Sequence, residues 1–146
     1  MKRFIIEKIY RRNRVLYLIR IILTPKTPWG QLYLHIFITG DEDPDPHNHP
    51  WDFWTLPFRS YREEVYNGLY VDPVRVDTLP AFQWQFREAG HIHRVIGPVR
   101  GKFPFLTLVW HKPKSREWGF WKVDPKTGRR TVFEHWKSYN SKGKKT

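Results

Sequence analysis

The chain has 146 residues, no cysteine, and 26 basic against 14 acidic residues, which gives a net charge of +12. This length fits one domain with a modest core, and the lack of cysteine excludes disulfides and thiolate metal sites. The charge is uneven, because residues 1–40 carry +7, residues 41–96 carry −5 and residues 97–146 carry +10. Basic flanks favour a nucleic-acid or acidic partner, and solubility alone explains them equally well.

The first segment, residues 2–12, fits a short basic helix or an irregular arm, since its three isoleucines follow a helical stripe over too few turns to decide. The apolar run over residues 4–23 is interrupted by arginines at positions 11, 12, 14 and 20. Those charges exclude a membrane-spanning helix, and the run lacks the features of a signal peptide. We therefore expect a cytoplasmic protein without a membrane partner.

Most of the remaining chain reads as short strands separated by turns. Val15–Leu23 and Gln31–Thr39 are expected to pair antiparallel, and Asn67-Gly68 predicts a hairpin between Tyr61–Tyr66 and Leu69–Val76. The other predicted strands are His47–Phe58, Phe82–Arg87, His91–Ile96, Pro104–His111, Trp118–Val123 and Thr131–Trp136. About ten strands without a long helical pattern predict an all-β jelly roll or barrel. Residues 137–146 are polar and basic, and are expected to be disordered.

Two histidine pairs carry the chemistry that the sequence offers, His47-Asn48-His49 and His91-Ile92-His93. Residues two apart on an extended chain point to the same face. Neutral imidazole is a common ligand of Zn, Fe, Cu and Ni. Four of the seven histidines lie in such pairs, which favours a metal site over solvated or packed imidazoles.

These residues resemble the motifs of the cupins, a His-x-His followed by glutamate and a later glycine turn followed by histidine. His47 and His49 match the first motif, and Gly90 to His93 match the second. The chain is also similar to small uncharacterised cupin-like proteins of phages and bacteria that carry His-x-His-Pro-Trp-x-Phe and Arg-Glu-Trp-Gly-Phe-Trp, here His47–Phe53 and Arg116–Trp121. The resemblance covers roughly residues 15–136 and implies a cupin-type double-stranded β-helix. With its basic N-terminal segment, one domain is expected over residues 1–136.

The resemblance also implies that His47, His49 and His93 hold one divalent metal ion, which could be Fe, Mn, Ni, Zn or Cu. The glutamate of the first motif should fall near residues 53 and 54, where this sequence has Phe and Trp. Glu63 and Glu64 are the candidates to replace it, and they project to opposite faces of one strand. Related chains carry Tyr-x-Glu where residues 61–63 stand, so Glu63 is the expected carboxylate ligand.

Further residues are expected near the metal. The predicted pocket-lining residues are His35, Trp51, Trp84 and His91, although His35 also fits a packed core position. Arginines on or near the site strands offer bidentate contacts to a carboxylate or phosphate, or serve as surface charge. These arginines are Arg59, Arg62, Arg87 and Arg94.

Three classes of function fit the sequence. The first is a metal-dependent cupin enzyme acting on a small molecule, such as a dioxygenase, isomerase or hydroxylase. The second is a non-catalytic cupin module that binds a sugar or nucleotide. The third is a basic nucleic-acid or virion-associated protein that uses the fold as a scaffold, since fold does not fix function. A homodimer is a further expectation, because cupins are often dimers.

Overall fold

The computed structural model describes residues 5–10, 14–40 and 45–142. Within these ranges the chain forms eleven strands and one short helix. In chain order they are β1 Ile5–Tyr10, β2 Leu16–Ile22, β3 Gln31–Phe37, β4 Phe53–Pro57, β5 Tyr61–Tyr66, β6 Arg75–Leu79, β7 Gln85–Arg87, β8 Ile92–Pro98, β9 Phe105–His111, β10 Gly119–Val123, β11 Arg130–His135 and α1 Trp136–Lys142. The predicted all-β class with short strands is confirmed.

The strands form two layers of antiparallel sheet. The first layer has six strands in the order β1-β2-β3-β9-β4-β7. The second combines β6-β5-β8 with the β10-β11 pair, and His47 joins the two parts through single bridges to His93 and Phe120. Sequence neighbours such as β3 and β4 therefore lie apart, with β9 between them. This crossing of connections is that of a jelly roll rather than a simple meander.

The inner face of the first layer follows the alternation seen in the sequence. Tyr33, His35 and Phe37 on β3 are buried, while the residues between them are only half-buried. Because successive side chains of a strand point to opposite faces, the predicted split of this strand into two faces is confirmed. The predicted antiparallel pairing of β2 with β3 is confirmed as well. Phe37 stacks on Phe105, with ring centroids 4.8 Å apart.

The segment predicted as a helix or an arm is partly an edge strand. Ile5–Tyr10 pairs with β2 over its whole length, with Glu7 opposite Arg20. Its β-branched isoleucines suit a strand, and the neighbouring strand supplies the hydrogen bonds that an isolated short helix lacks. Residues 2–4, 11 and 12 of that prediction lie outside the described residues.

The segment predicted as disordered is helical over the part that the structure describes. α1 packs through Tyr139, which is fully buried and stacks on Phe120 with ring centroids 3.8 Å apart. The Tyr139 hydroxyl also donates to Asp45 at 3.3 Å. The structure thus places residues 137–142 in α1, where the sequence predicted a disordered tail. Residues 143–146 lie outside the described residues.

Two predicted strand limits also change. The connection between β5 and β6 runs over residues 67–74, so the tight hairpin at Asn67-Gly68 is replaced by a longer loop. The strand predicted over His47–Phe58 divides into two isolated bridges at His47 and the regular strand β4. Within the described ranges, no helix has both the length and the apolar character that crossing a membrane requires.

Candidate metal centre

A cavity of about 400 Å³ lies between the two sheets. This volume suits a small organic ligand. The wall is largely aromatic, and its aromatic members outside the histidines are Tyr10, Tyr17, Phe37, Trp51, Phe53, Tyr61, Trp118, Phe120 and Trp136. His35, His47, His49 and His93 also line it. Three of the four therefore belong to the motifs identified in the sequence.

Backbone hydrogen bonds hold the first histidine motif extended between two parts of the second sheet. His47 and His93 exchange N–H···O bonds of 3.1 and 3.0 Å. Asn48 is buried, and its side-chain oxygen accepts from the Gly119 N–H at 2.9 Å. His49 donates its N–H to the Ala89 carbonyl at 3.0 Å. The asparagine thus anchors the segment to β10, and the imidazoles before and after it line the cavity.

The three motif histidines converge. Each of His47, His49 and His93 offers one ring nitrogen, and these nitrogens lie within 4.8 Å of one another. The ring centroids are 5.3 Å apart for His47–His49, 4.8 Å for His47–His93 and 4.7 Å for His49–His93. Imidazole nitrogens bind zinc at about 2.0–2.1 Å, so ligands of one ion lie at most about 4 Å apart. Small rotations of the rings reach that spacing.

The surroundings of His49 show that the three-histidine group suits the binding of a metal cation. Its Nδ1 is buried and makes no hydrogen bond to the described part of the chain, whereas buried ring nitrogens normally have a partner. Burial lowers the pKa of His49 well below its usual range, and the neighbouring His93 and His47 lower it further. A neutral imidazole is the form that binds metal. The donor set therefore fits a divalent ion.

Glu63 stands behind His93 and is fully buried. Its Oε2 accepts a short hydrogen bond from His93 Nδ1, while its Oε1 contacts His91 Nε2 at 3.0 Å and Arg87 Nε at 3.1 Å. Burial raises the pKa of Glu63, but the neighbouring His93 and His91 outweigh that effect and hold the pKa well below its usual range. The carboxylate is therefore charged, and it fixes the His93 proton on Nδ1.

The structure places Glu63, the expected carboxylate ligand, in a different group from two of the three histidines. Glu63 groups with His91 and His93, and not with His47 and His49. The reason is the strand order, because β8 lies between β5 and the His47 bridge. Glu63 on β5 therefore reaches one imidazole of the three from behind. A carboxylate in this position orients the ligand ring and raises its basicity.

The four residues expected to line the pocket divide evenly. His35 and Trp51 line the cavity, and Trp51 stacks on His111 at 4.5 Å. Among the lining residues described, Trp84 and His91 are absent. His91 turns to Glu63 instead. Trp84 is 46% exposed.

The strand register explains the position of Trp84. Phe86, opposite Trp54 in the β4–β7 pair, faces outward with it, and their ring centroids are 5.2 Å apart. Trp84 is two residues from Phe86 and so shares the outer face. The inner face of β4 belongs to Phe53 and Thr55, which line the cavity.

Three of the four arginines expected to bind an anion have other contacts. Arg59 donates to backbone carbonyls of residues 100, 102 and 104, and Arg87 pairs with Glu63 and Asp77. Arg94 lies 3.5 Å from Glu64. Arg62 is exposed.

Among the described residues that line the cavity, the arginine is Arg20, one of the charges that interrupt the apolar run over residues 4–23. The signal was its position in an otherwise apolar strand. An arginine on the inner face of such a strand presents its charge to the cavity between the sheets.

Comparison with known proteins identifies the fold. No protein-family model and no curated protein matches the chain. Among solved structures it is similar to hydroxypropylphosphonic acid epoxidase from S. wedmorenis, at 14% identity and a TM-score of 0.56, covering 74% of this chain and 55% of that one. It is similar to the capsular polysaccharide assembling protein CapF from Staphylococcus aureus, at 14% identity and a TM-score of 0.54, covering 92% and 32%.

A third similar structure is a putative mannose-6-phosphate isomerase from Ralstonia eutropha JMP134, at 17% identity and a TM-score of 0.50, covering 64% of this chain and 83% of that one. These neighbours are cupin-fold proteins, so the jelly roll of this chain is of the cupin type. The chain spans about half the length of the epoxidase and about a third of CapF. At these identities the likeness establishes the fold.

Proposed function

We propose that this cupin-fold chain binds a divalent metal ion through His47, His49 and His93 and holds a small organic molecule beside it. The observation that carries the proposal is the convergence of three imidazole nitrogens within 4.8 Å on the wall of an aromatic cavity. Three protein ligands leave coordination positions open, as catalytic metal sites require. When bound, the ion would supply Lewis acidity or redox chemistry at those open positions.

The chain's own residues have distinct parts in this proposal. Glu63 keeps the His93 proton on Nδ1, so that Nε2 carries the lone pair for the ion. Arg87, 2.9 Å from Glu63 Oε1, keeps that carboxylate charged within the protein. Trp51 and Phe53 border His49, with ring centroids 6.1 and 4.6 Å away. In this proposal, the two rings exclude water from the side of the three histidines where the small organic molecule binds.

The similar structures support a metal-dependent enzyme over a metal-free binding module. Two further similar structures are of a protein named HppE. One is Fe(II)-HppE with the alternative substrate (S)-1-HPP, and the other is CoII HppE in complex with substrate, so both contain a divalent metal ion. We therefore propose Fe(II) as the first metal to test, and Mn, Ni, Zn and Cu as further candidates for a set of neutral nitrogen donors. The homodimer, nucleic-acid binding, the cytoplasmic location and the likeness to phage proteins stay predictions from the sequence.

The decisive experiment measures metal content and affinity. The protein is purified without a chelator or a metal-affinity tag, its metals are measured by mass spectrometry, and the metal-free form is titrated with Co(II) by visible absorption. Wild type should bind one equivalent. The triple variant His47→Ala/His49→Ala/His93→Ala should bind none while keeping a β-type circular dichroism spectrum.

His35→Ala is the matched control, because it removes a cavity histidine outside the metal group. It should keep one equivalent of Co(II). Equal metal binding by wild type and the triple variant would defeat the proposal.

A further inference from the structure

Four polar side chains cross the inner face of the first sheet in one row. Glu7 is paired with Arg20 between β1 and β2, Arg20 with His35 between β2 and β3, and His35 with Thr107 between β3 and β9. Directly paired residues on neighbouring strands share a face. All four line the cavity, so the row lies on the sheet opposite the one that carries His93.

Arg20 is held in place but is not fully used. Its Nε donates to His35 Nε2 at 3.1 Å, and its guanidinium lies 4.7 Å from the centre of the Tyr33 ring. Its Nη1 lies 3.5 Å from Glu7 Oε2, at the outer limit of a hydrogen bond. Nη2 makes no hydrogen bond with the residues that the structure describes. The fork of the guanidinium therefore has a donor left for a ligand.

Thr107 provides an independent observation. Its side chain is 1% exposed, and Oγ1 is buried without a hydrogen-bond partner in the described ranges. Most buried hydroxyls have a partner, and leaving one unpaired is unfavourable. A threonine in this state on a cavity wall is explained if a bound molecule completes its hydrogen bonding.

The charge balance of the row points to an anion. Arg20 is the only lysine or arginine among the described residues that line the cavity, and Glu7 is the only carboxylate. Glu7 is nearly half exposed, with a side chain at 46%, so solvent weakens its compensation of Arg20. Burial lowers the pKa of His35 well below its usual range, with Arg20 and His111 adding to the effect. His35 is thus a neutral spacer, and Arg20 carries the charge of the row.

We infer that this row binds the carboxylate of a small organic acid, with Arg20 as its anchor and Thr107 as a second hydrogen-bond donor to the same molecule. One arginine, partly offset by Glu7, matches a single negative charge better than the double charge of a phosphate. The apolar body of the acid lies against the aromatic wall, whose members next to the row are Tyr17 and Phe37. The inference rests on the proposed function in that the other end of the molecule faces the three histidines.

The test compares acids with their neutral amides. Benzoate, phenylacetate and indole-3-carboxylate, and the primary amide of each, are titrated into the protein by calorimetry, with and without Co(II). At least one acid should bind about tenfold more tightly than its amide, as expected for a hydrogen bond to a charged group. Phenylphosphonate should bind more weakly than the best carboxylate.

Variants locate the preference. Arg20→Gln should abolish the difference between acid and amide, and Arg20→Lys should keep part of it because the charge remains. Thr107→Val, which conserves the shape, should weaken the best acid about fivefold. Arg62→Gln removes an exposed arginine of the other sheet and should leave all affinities unchanged. Thermal melts check that each variant is folded, and Arg20→Lys and Thr107→Val carry the test if Arg20→Gln is not.

The outcomes separate this inference from the metal proposal. Arg20→Gln should bind Co(II) as wild type does, because Arg20 is outside the histidine group. If wild type binds Co(II) but no acid binds more tightly than its amide, the carboxylate inference fails and the metal proposal stands. If the acids are preferred but Co(II) does not bind, the metal proposal fails and the carboxylate site stands. Preference for acids that survives Arg20→Gln would also overturn the inference.

Discussion

The two His-x-His motifs have the same local pattern and meet different surroundings. His47 and His49 both line the cavity, and the asparagine between them accepts a hydrogen bond from the Gly119 N–H. His91 and His93 both contact Glu63, but His93 is the member that also reaches the first motif. The two rings of the second motif are only 5.0 Å apart.

The difference shows that the spacing of residues along a strand decides which side chains share a face. The neighbouring strands decide which residues those side chains contact. His93 is bridged directly to His47 and is therefore within reach of both rings of the first motif. His91 directly precedes β8, and its N–H donates to the Glu88 carbonyl in a turn, outside the regular pairing of that strand. The first motif thus supplies two candidate metal ligands. The second supplies one candidate ligand, His93, and one residue, His91, that contacts the Glu63 carboxylate behind it.

The largest expected effect comes from replacing the two histidines of the second motif one at a time, which tests whether they have different roles. His93→Ala removes a candidate ligand, so Co(II) affinity should fall by more than about a hundredfold, beyond the range for outer residues. His91→Gln keeps a donor for Glu63 and should change affinity by no more than about threefold. Spectroscopic Co(II) titrations measure both. Similar losses in the two variants would show that the motif acts as a symmetrical pair.

A smaller effect is expected from the carboxylate that both members share. Glu63→Gln leaves three imidazoles in place but loses the charge that fixes the His93 proton, so Co(II) affinity should fall about 10- to 100-fold. Glu64→Gln is the matched control, since Glu64 faces away from the site toward Tyr66 and Arg94. Complete loss of metal in Glu63→Gln, as in His93→Ala, would instead mark Glu63 as a direct ligand.

The smallest expected effect concerns His35, which lies outside both motifs, and the dependence of folding stability on pH. His35 is neutral in the folded state because burial lowers its pKa, while the unfolded chain takes up the proton below the ordinary pKa of about 6.5. Unfolding therefore binds protons, and stability should fall as pH drops from about 6.5 to 5. His35 contributes at most about 1.4 kcal/mol per pH unit to this slope.

Urea unfolding of the metal-free protein at several pH values measures that slope. His35→Gln, whose amide oxygen can still accept from Arg20, should show a smaller dependence on pH over this window. An unchanged slope would mean that His35 is protonated in the folded protein or that other histidines account for all of the dependence.

Much of the fold was predictable because alternation is a local property of a strand. The faces of β3 followed from the order of Tyr33, His35 and Phe37, and the histidine spacing predicted two rings on one side of the chain. The terminal segments were harder to predict. Tyr139 orders α1 by stacking on Phe120, and a polar composition around one tyrosine gives no sign of that contact.

The candidate site shows where local information ends. The alternation of Phe82, Trp84 and Phe86 placed three aromatic rings together, but pairing with β4 decided that Phe86 faces outward. Phe82 and Trp84 precede that strand and are exposed. Arg20 appeared as an interruption of an apolar run, and the register of β2 with β3 decided that it stands beside His35 in the cavity.

By itself, the sequence determined the class of fold and the extended histidine motifs, since these depend on periodicity and residue type. The carboxylate near them was expected only from the resemblance to related chains. Only the tertiary structure decided that Glu63 stands behind His93 rather than beside all three histidines. It also decided that one cation faces them across the cavity. The physical reason is that the order and register of strands are set by contacts between residues far apart in the chain. A shift of a single residue in register exchanges the two faces of a strand.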